Sequence, residues 1–135
     1  PEDEVRRILV KQWTEKADQG LLAAEVLMKG ELPLPYPVCV HCQQAAEKYF
    51  KAFLTYHQVE FPEPHSIREL LDLVAKAEAG LAKELQSAAV LTPYGVEMRY
   101  PGDLPAPTES EAEKALAQAR KVVDAITIRI VKDES

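Results

Sequence analysis

Residues 92–107 concentrate side chains that can bind a charged ligand. The segment includes four prolines, two glycines and a group of polar and aromatic residues: Tyr94, Glu97, Arg99, Tyr100 and Asp103. A guanidinium is a planar fork of donors suited to phosphate or carboxylate, and a tyrosine ring can stack on a base. The segment therefore indicates a nucleotide site at Arg99 and Tyr100. The alternative is structural, with Arg99 paired to a neighbouring carboxylate and Tyr100 closing the end of the fold.

A second polar group belongs to residues 40–54, which are typical of one amphipathic helix. Small and aromatic residues recur there at spacings of three and four and share one face: Cys42, Ala45, Ala46, Tyr49, Phe50 and Phe53. Gln43, Gln44 and Glu47 lie close to that face, whereas Lys48 and Lys51 are expected on the solvated side. The group is either a polar cluster in a groove or an intrahelical pairing, in which Glu47 and Lys51 contribute about 0.2–0.5 kcal/mol.

Asp18 lies one position past a stripe formed by Leu9, Trp13 and Ala17, and we expect it to face the same groove as Arg99. The candidate nucleotide-binding residues are therefore Arg99, Tyr100, Asp18, Gln43, Glu47 and Lys48. We predict no catalytic residue and no metal ligand.

Five helical segments must position these residues. Hydrophobic periodicity predicts helices over 2–28, 37–57, 66–79 and 81–91, and a last helix that follows Thr108 and continues through Ile130. Loops rich in proline and glycine separate them. This alternation predicts an all-α, up-and-down helical bundle formed by a single domain, residues 1–135.

Several local signals refine the helix ends. Ser66 with Glu69, and Thr108 with Glu111, match the capping-box pattern at a helix start. Gly80 is expected to end the third helix. Gly20, inside the first helix, predicts a kink or a close helix contact.

Composition excludes several classes of protein. The chain has 135 residues and a formal net charge of −6, which argues against an extended nucleic-acid track because phosphate binding needs clustered Lys and Arg. No apolar run approaches the ~18 residues of a membrane span, and no signal peptide is visible. We therefore expect no membrane association and a cytoplasmic location.

The two cysteines, Cys39 and Cys42, form a C-x-x-C pair. A zinc site would need two further ligands, and a redox pair is expected next to a βαβ pattern that the sequence does not show. We therefore interpret both as small apolar helix residues and predict no cofactor other than a possible nucleotide.

The run 42–48, followed by Lys51, Ala52, Phe53 and Leu54, resembles the signature helix of the HEPN domain family. Four further features agree: Trp13 with Ala17 and Asp18, the segment 65–71, the segment 99–101 and an alanine-rich last helix. The resemblance implies a four-helix bundle with an additional short helix. It also implies a homodimer that binds nucleotide or a minimal nucleotidyltransferase, as one half of a toxin–antitoxin-like pair.

Nuclease members of that family have an Arg followed four to six residues later by His, and this sequence departs from the pattern. All three histidines precede Arg99. Because proton transfer near neutral pH usually relies on His, an enzyme is the less favoured interpretation. The alternative function is a metal-independent ribonuclease toxin with a divergent active site. Ala45 and Ala46 on the second helix, with the apolar seam of the last helix, motivate the expectation of a dimer.

Overall fold

A computed structural model describes residues 2–61, 66–95 and 105–130. It contains α1 (Glu2–Lys29), α2 (Pro35–Tyr56), α3 (Ile67–Ala77), α4 (Ala79–Glu84), a 3-10 helix (Gln86–Tyr94) and α5 (Glu109–Ile130). The prediction of an all-α helical bundle is confirmed. Arg99, Tyr100 and His65 lie outside the described residues.

Helix α2 occupies the centre of the bundle. It packs most extensively against α1, then against α5, and it also contacts α3 and the 3-10 helix. Its neighbours surround it with a single core whose largest fully buried side chains include Phe50, Phe53, Leu54, Ile67, Leu70, Leu81, Leu85, Leu91 and Ile126. Burial of this apolar surface is the main force that holds the helices together.

The central position of α2 corrects the expected dimer surface. Ala45 and Ala46 are buried inside the monomer, together with Tyr49, Phe50 and Phe53. These residues pack against the other helices of the same chain, and a second subunit cannot reach them. The apolar seam of α5 is likewise internal, because Leu116, Ala119, Ile126 and Ile130 are buried.

The contact between α1 and α2 is close because small residues lie along it. Ala17 and Ala24 are fully buried, and a Cβ placed on Gly20 would lie 3.9 Å from the backbone oxygen of His41. Helix α1 continues without interruption from Glu2 to Lys29, and the distance at Gly20 is that of an ordinary van der Waals contact.

Both predicted capping boxes are present. The Glu69 amide donates to Ser66 Oγ at 3.2 Å and the Ser66 amide donates to Glu69 Oε1 at 2.9 Å. Thr108 and Glu111 form the same reciprocal pair at 3.1 and 2.9 Å. Each box satisfies two backbone donors that the first turn of a helix would otherwise leave unpaired.

The predicted boundary at Gly80 is wrong. The third helix ends at Ala77, Glu78 adopts an extended backbone (φ −154°, ψ 93°), and Gly80 lies within α4. Arg129 of α5 holds Glu78, with Arg129 Nε 2.9 Å from Glu78 Oε2. A contact between residues distant in sequence therefore defines this corner. The predicted fourth helix is also divided into α4 and the 3-10 helix.

A membrane span requires a helix that is both long and apolar, and the described helices can be judged by these two properties. None of those in 2–61, 66–95 and 105–130 is both long and apolar enough to cross a bilayer.

Candidate functional site

Three polar side chains form a continuous row along α2, each one helical turn from the next. Gln43 Nε2 donates to Glu47 Oε2 at 3.0 Å, and Lys51 Nζ lies 3.1 Å from Glu47 Oε1. Gln43 and Lys51 are each only 7% exposed, although most buried residues around them are apolar. The predicted pairing of Glu47 with Lys51 is confirmed, but the prediction of a solvated Lys51 is wrong. We call Gln43, Glu47 and Lys51 the polar row.

Aromatic rings line the end of the polar row. Lys51 Nζ lies 5.2 Å from the centre of the Trp13 ring and 5.9 Å from that of Phe61. The two rings meet edge to face, 6.2 Å apart. The distances from Lys51 Nζ to the two rings are within the range of cation–π attraction. The rings and the Glu47 carboxylate therefore stabilise the ammonium of Lys51 together.

Lys48 increases the positive charge beside the row. Burial is the main effect that lowers its pKa, the Glu47 carboxylate opposes that shift, and the ammonium groups of Lys51 and Lys16 lower the pKa further. Lys51 and Lys16 therefore lie close enough to Lys48 to influence its ionisation, and Glu47 partly offsets their charge. In a chain whose net charge is −6, this is a local excess of positive charge. Such a site favours an anion.

The chain enters the segment that contains Arg99 directly beside this row. A Cβ placed on Gly95 would lie 3.3 Å from Nε2 of Gln43, closer than most side chains tolerate. The absence of a side chain at Gly95 therefore permits its contact with the Gln43 amide. Thr92, at the end of the 3-10 helix, has a buried hydroxyl with no hydrogen-bond partner among the described residues.

Asp18 contacts α2 through a residue outside the polar row. Its carboxylate accepts a hydrogen bond of 2.5 Å from the hydroxyl of Tyr49, which also has a hydrogen bond with Thr127 of α5. Residues two positions apart on a helix project about 200° apart, so Tyr49 and Glu47 point to different sides of α2. The structure thus brings together Gln43, Glu47 and Lys48 but engages Asp18 with Tyr49.

With this geometry established, the chain can be compared with known protein families. The model of the HEPN domain matches residues 10–130. The chain belongs to the HEPN domain family. No curated protein and no solved structure matches the chain significantly.

The HEPN match includes the polar row, Lys48 and the two aromatic residues around Lys51. Sequence reasoning missed Trp13, Phe61 and Lys51 as parts of this site. The i, i+4 spacing of Glu47 and Lys51 was a usable signal for their pairing. Their burial had no local signal, because it depends on where α1 and the segment after α2 pass over the helix.

The cysteines of the HEPN domain are free, fully buried thiols. Burial is the main effect that raises the pKa of Cys39, and it raises that of Cys42 to about 12. Tyr94 contacts Cys39 through a hydrogen bond, and burial raises the pKa of the Tyr94 hydroxyl to about 12. A protonated, buried thiol is a poor nucleophile and a poor metal ligand.

Within 2–61, 66–95 and 105–130, no group of three or more His, Cys, Asp or Glu side chains is arranged to hold a metal ion.

Proposed function

We propose that this HEPN domain is a non-catalytic module that binds a nucleotide beside the polar row. The observation that supports it is the proximity of Lys51, Lys16 and Glu47 to Lys48, which is an excess of positive charge in an acidic protein. Lys51 is buried and Lys48 is half-buried, which reduces solvent screening, so a phosphate placed beside them gains more than it would on an open surface.

Arg99 and Tyr100 complete the proposed site. Gly95 contacts Gln43, and Arg99 follows four positions later in the sequence, a stretch that can span at most about 14 Å. This limit is compatible with a guanidinium that binds the phosphate together with Lys48. Tyr100 would then stack on the base. Gln43 and Glu47 supply an amide and a carboxylate for the sugar or the base edge, whereas Asp18 has a structural role with Tyr49.

We further propose that the module is a homodimer and that its partner is a minimal nucleotidyltransferase in a toxin–antitoxin-like pair. Membership of the HEPN family supports this pairing. A partner enzyme whose substrate is a nucleotide is also chemically consistent with a nucleotide site. Mixing the purified protein with such an enzyme and measuring a complex by size-exclusion chromatography tests the pairing, and separate elution of the two proteins would exclude it.

The nucleotide claim is tested by calorimetric titration with ATP, GTP, AMP and GMP. We expect binding by the wild-type protein, and roughly tenfold or greater weakening in Lys48→Gln and in Arg99→Ala, because each loses a charge-assisted contact. Lys121→Gln, which changes an exposed lysine of α5, is the matched control and should bind like wild type. Circular dichroism confirms that each variant is folded. No heat with any of the four nucleotides would exclude the proposed site.

Incubation with RNA distinguishes this function from a ribonuclease. We expect no cleavage, because all three histidines precede Arg99 and none occupies the spacing that nuclease members use. Metal-independent cleavage by the wild-type protein that is lost in Arg99→Ala would show that the module is an enzyme.

A further inference from the structure

A groove lies between the start of α1 and the end of α2. It has a volume of about 580 Å³, within the range of small-molecule sites, and it is lined by Glu2, Val5, Arg6, Leu9, Thr55 and Gln58. The four lining residues of α1 lie within an arc of about 100° around that helix, so they form one wall. Most of the lining surface is apolar. The groove therefore suits a ligand with a hydrocarbon part.

Arg6 places a guanidinium at this apolar surface with most of its donors unused. Its side chain is only 30% exposed, and among the described residues its single hydrogen bond goes to Asp3 Oδ1 at 3.1 Å. The Asp3 side chain is 82% exposed, so the ion pair is weak and another carboxylate can replace it. A carboxylate that enters the groove can pair with both edges of the guanidinium.

Gln58 has a backbone conformation that a glycine would adopt more easily. Its φ is +58°, and the turn that it makes caps α2, because the amides of Gln58 and Val59 donate to the carbonyl oxygens of Thr55 and Leu54 at 3.1 and 2.9 Å. The cap itself does not use the side chain, whose amide has no hydrogen-bond partner in the described part of the chain. A strained residue that lines a groove indicates a binding role.

We propose that the groove binds an aliphatic monocarboxylate such as a short fatty acid. The hydrocarbon chain packs on Val5 and Leu9, and the carboxylate pairs with Arg6 and accepts a hydrogen bond from the Gln58 amide. Glu2 also lines the groove, so a singly charged anion fits better than a phosphate dianion. The site goes beyond the proposed nucleotide site, and neither site requires the other.

The fluorescence of Trp13 measures this binding, because Trp13 is the one tryptophan of the chain and follows Leu9 by one helical turn. The probes are hexanoate, octanoate and decanoate. We expect saturable binding, with a dissociation constant for octanoate of about 1 mM or below and roughly two- to fourfold tighter binding for each added methylene. Octanol and octylamine should bind roughly tenfold more weakly than octanoate, because neither pairs with Arg6.

Two variants test the charge of the site. Arg6→Gln should weaken octanoate binding roughly tenfold, because it removes the charge-assisted pair. Arg7→Gln is the matched control and should bind like wild type, since Arg7 is an exposed arginine that does not line the groove. Asp3→Asn should tighten binding several-fold, because it removes the carboxylate that competes for Arg6. A misfolded variant cannot produce such a gain.

Gln58→Gly separates binding from structure. It relieves the backbone strain and removes the amide, so octanoate binding should weaken roughly threefold or more while the midpoint of urea denaturation stays equal or rises. Leu9→Gln should also weaken binding, because it removes apolar surface from the groove. Its control is Leu22→Gln, since Leu22 is an exposed leucine of the same helix outside the groove.

Each of four results would overturn the proposal. No saturable binding of any carboxylate would exclude the site and leave the nucleotide site to its own titration. Equal affinity for octanoate and octanol would show a nonspecific apolar surface. Tighter binding of octylamine would assign the groove to a cation held by Glu2. Equal binding by Arg6→Gln and Arg7→Gln would show that the guanidinium has no role.

Discussion

Lys51 and Tyr49 of α2 both place a polar group inside the bundle, but their partners lie in different places. The ammonium of Lys51 pairs with Glu47 of the same helix, and Trp13 and Phe61 provide only ring faces. The hydroxyl of Tyr49 donates to Asp18 of α1 and also contacts Thr127 of α5. Tyr49 thus connects three helices through hydrogen bonds, whereas Lys51 contacts α1 through the ring of Trp13.

The hydrogen bond of Tyr49 and the ion pair of Lys51 restrict the packing of the helices differently. A hydrogen bond between helices restricts how they pack, so the bond of Tyr49 contributes to the position of α1. An ion pair within one helix adds no such restriction, and its desolvation must be offset by other interactions. The cation–π contacts of Lys51 with Trp13 and Phe61 contribute to that offset.

The largest expected effect comes from breaking the polar row. Glu47→Ala removes the carboxylate and leaves a buried ammonium without its ion-pair partner, so we expect a loss of about 3–5 kcal/mol in the free energy of unfolding. Lys51→Met leaves the Glu47 carboxylate, which is more exposed than the ammonium and keeps its hydrogen bond from Gln43, so it should cost less than Glu47→Ala. Urea denaturation measures both.

Gln44→Ala is the control for the polar row, because Gln44 is an exposed residue on the same helix. We expect a change of roughly 0.5 kcal/mol or less for an exposed helical position. If Glu47→Ala costs no more than this control, the ion pair is not an essential part of the interior, and the contrast with Tyr49 disappears.

A smaller effect is expected from the contact between helices. Tyr49→Phe removes a hydroxyl that donates to a carboxylate, and we expect a loss of about 1.5–3 kcal/mol, nearer the lower end because Asp18 is exposed. A double-mutant cycle with Asp18→Ala isolates the pairwise energy. If the losses in the two single variants add up to the loss in the double variant, the hydrogen bond contributes nothing of its own.

The smallest effect concerns pH. Burial is the main effect that raises the pKa of Tyr49 above its ordinary value of 10.0, and Asp18 raises it further. The unfolded chain therefore loses this proton first as pH rises above about 10, and the folded protein becomes less stable there by up to about 1.4 kcal/mol per pH unit. Below pH 10 the contribution is complete.

Urea denaturation from pH 8 to pH 11 follows this dependence. Tyr94 contributes to the same trend, because its pKa is also raised, to about 12. The informative quantity is the difference in the free energy of unfolding between the wild-type protein and Tyr49→Phe. The stability of Tyr49→Phe should fall less steeply above pH 10. Parallel curves would show that the Tyr49 hydroxyl ionises equally easily in both states.

The helices and their starts were largely predictable. Periodicity placed the four longest helices within a few residues, and both capping boxes form as expected because a cap involves residues only three apart. The corner at Glu78 was not predictable, since its partner Arg129 is 51 residues away. In the candidate site, the pairing of Glu47 with Lys51 followed from spacing, but the separation of Asp18 from Glu47 did not.

The sequence by itself determined the all-helical class, the local pairing along α2, the HEPN membership and the lack of a histidine at the spacing of the nuclease motif. Each of these depends on neighbours in the chain or on the order of residues. Tertiary structure alone decided that α2 is the central helix, that Lys51 is buried beside Trp13, and that α1 keeps an exposed face. The physical reason is that an amphipathic pattern shows which side of a helix is buried but not which helix covers it.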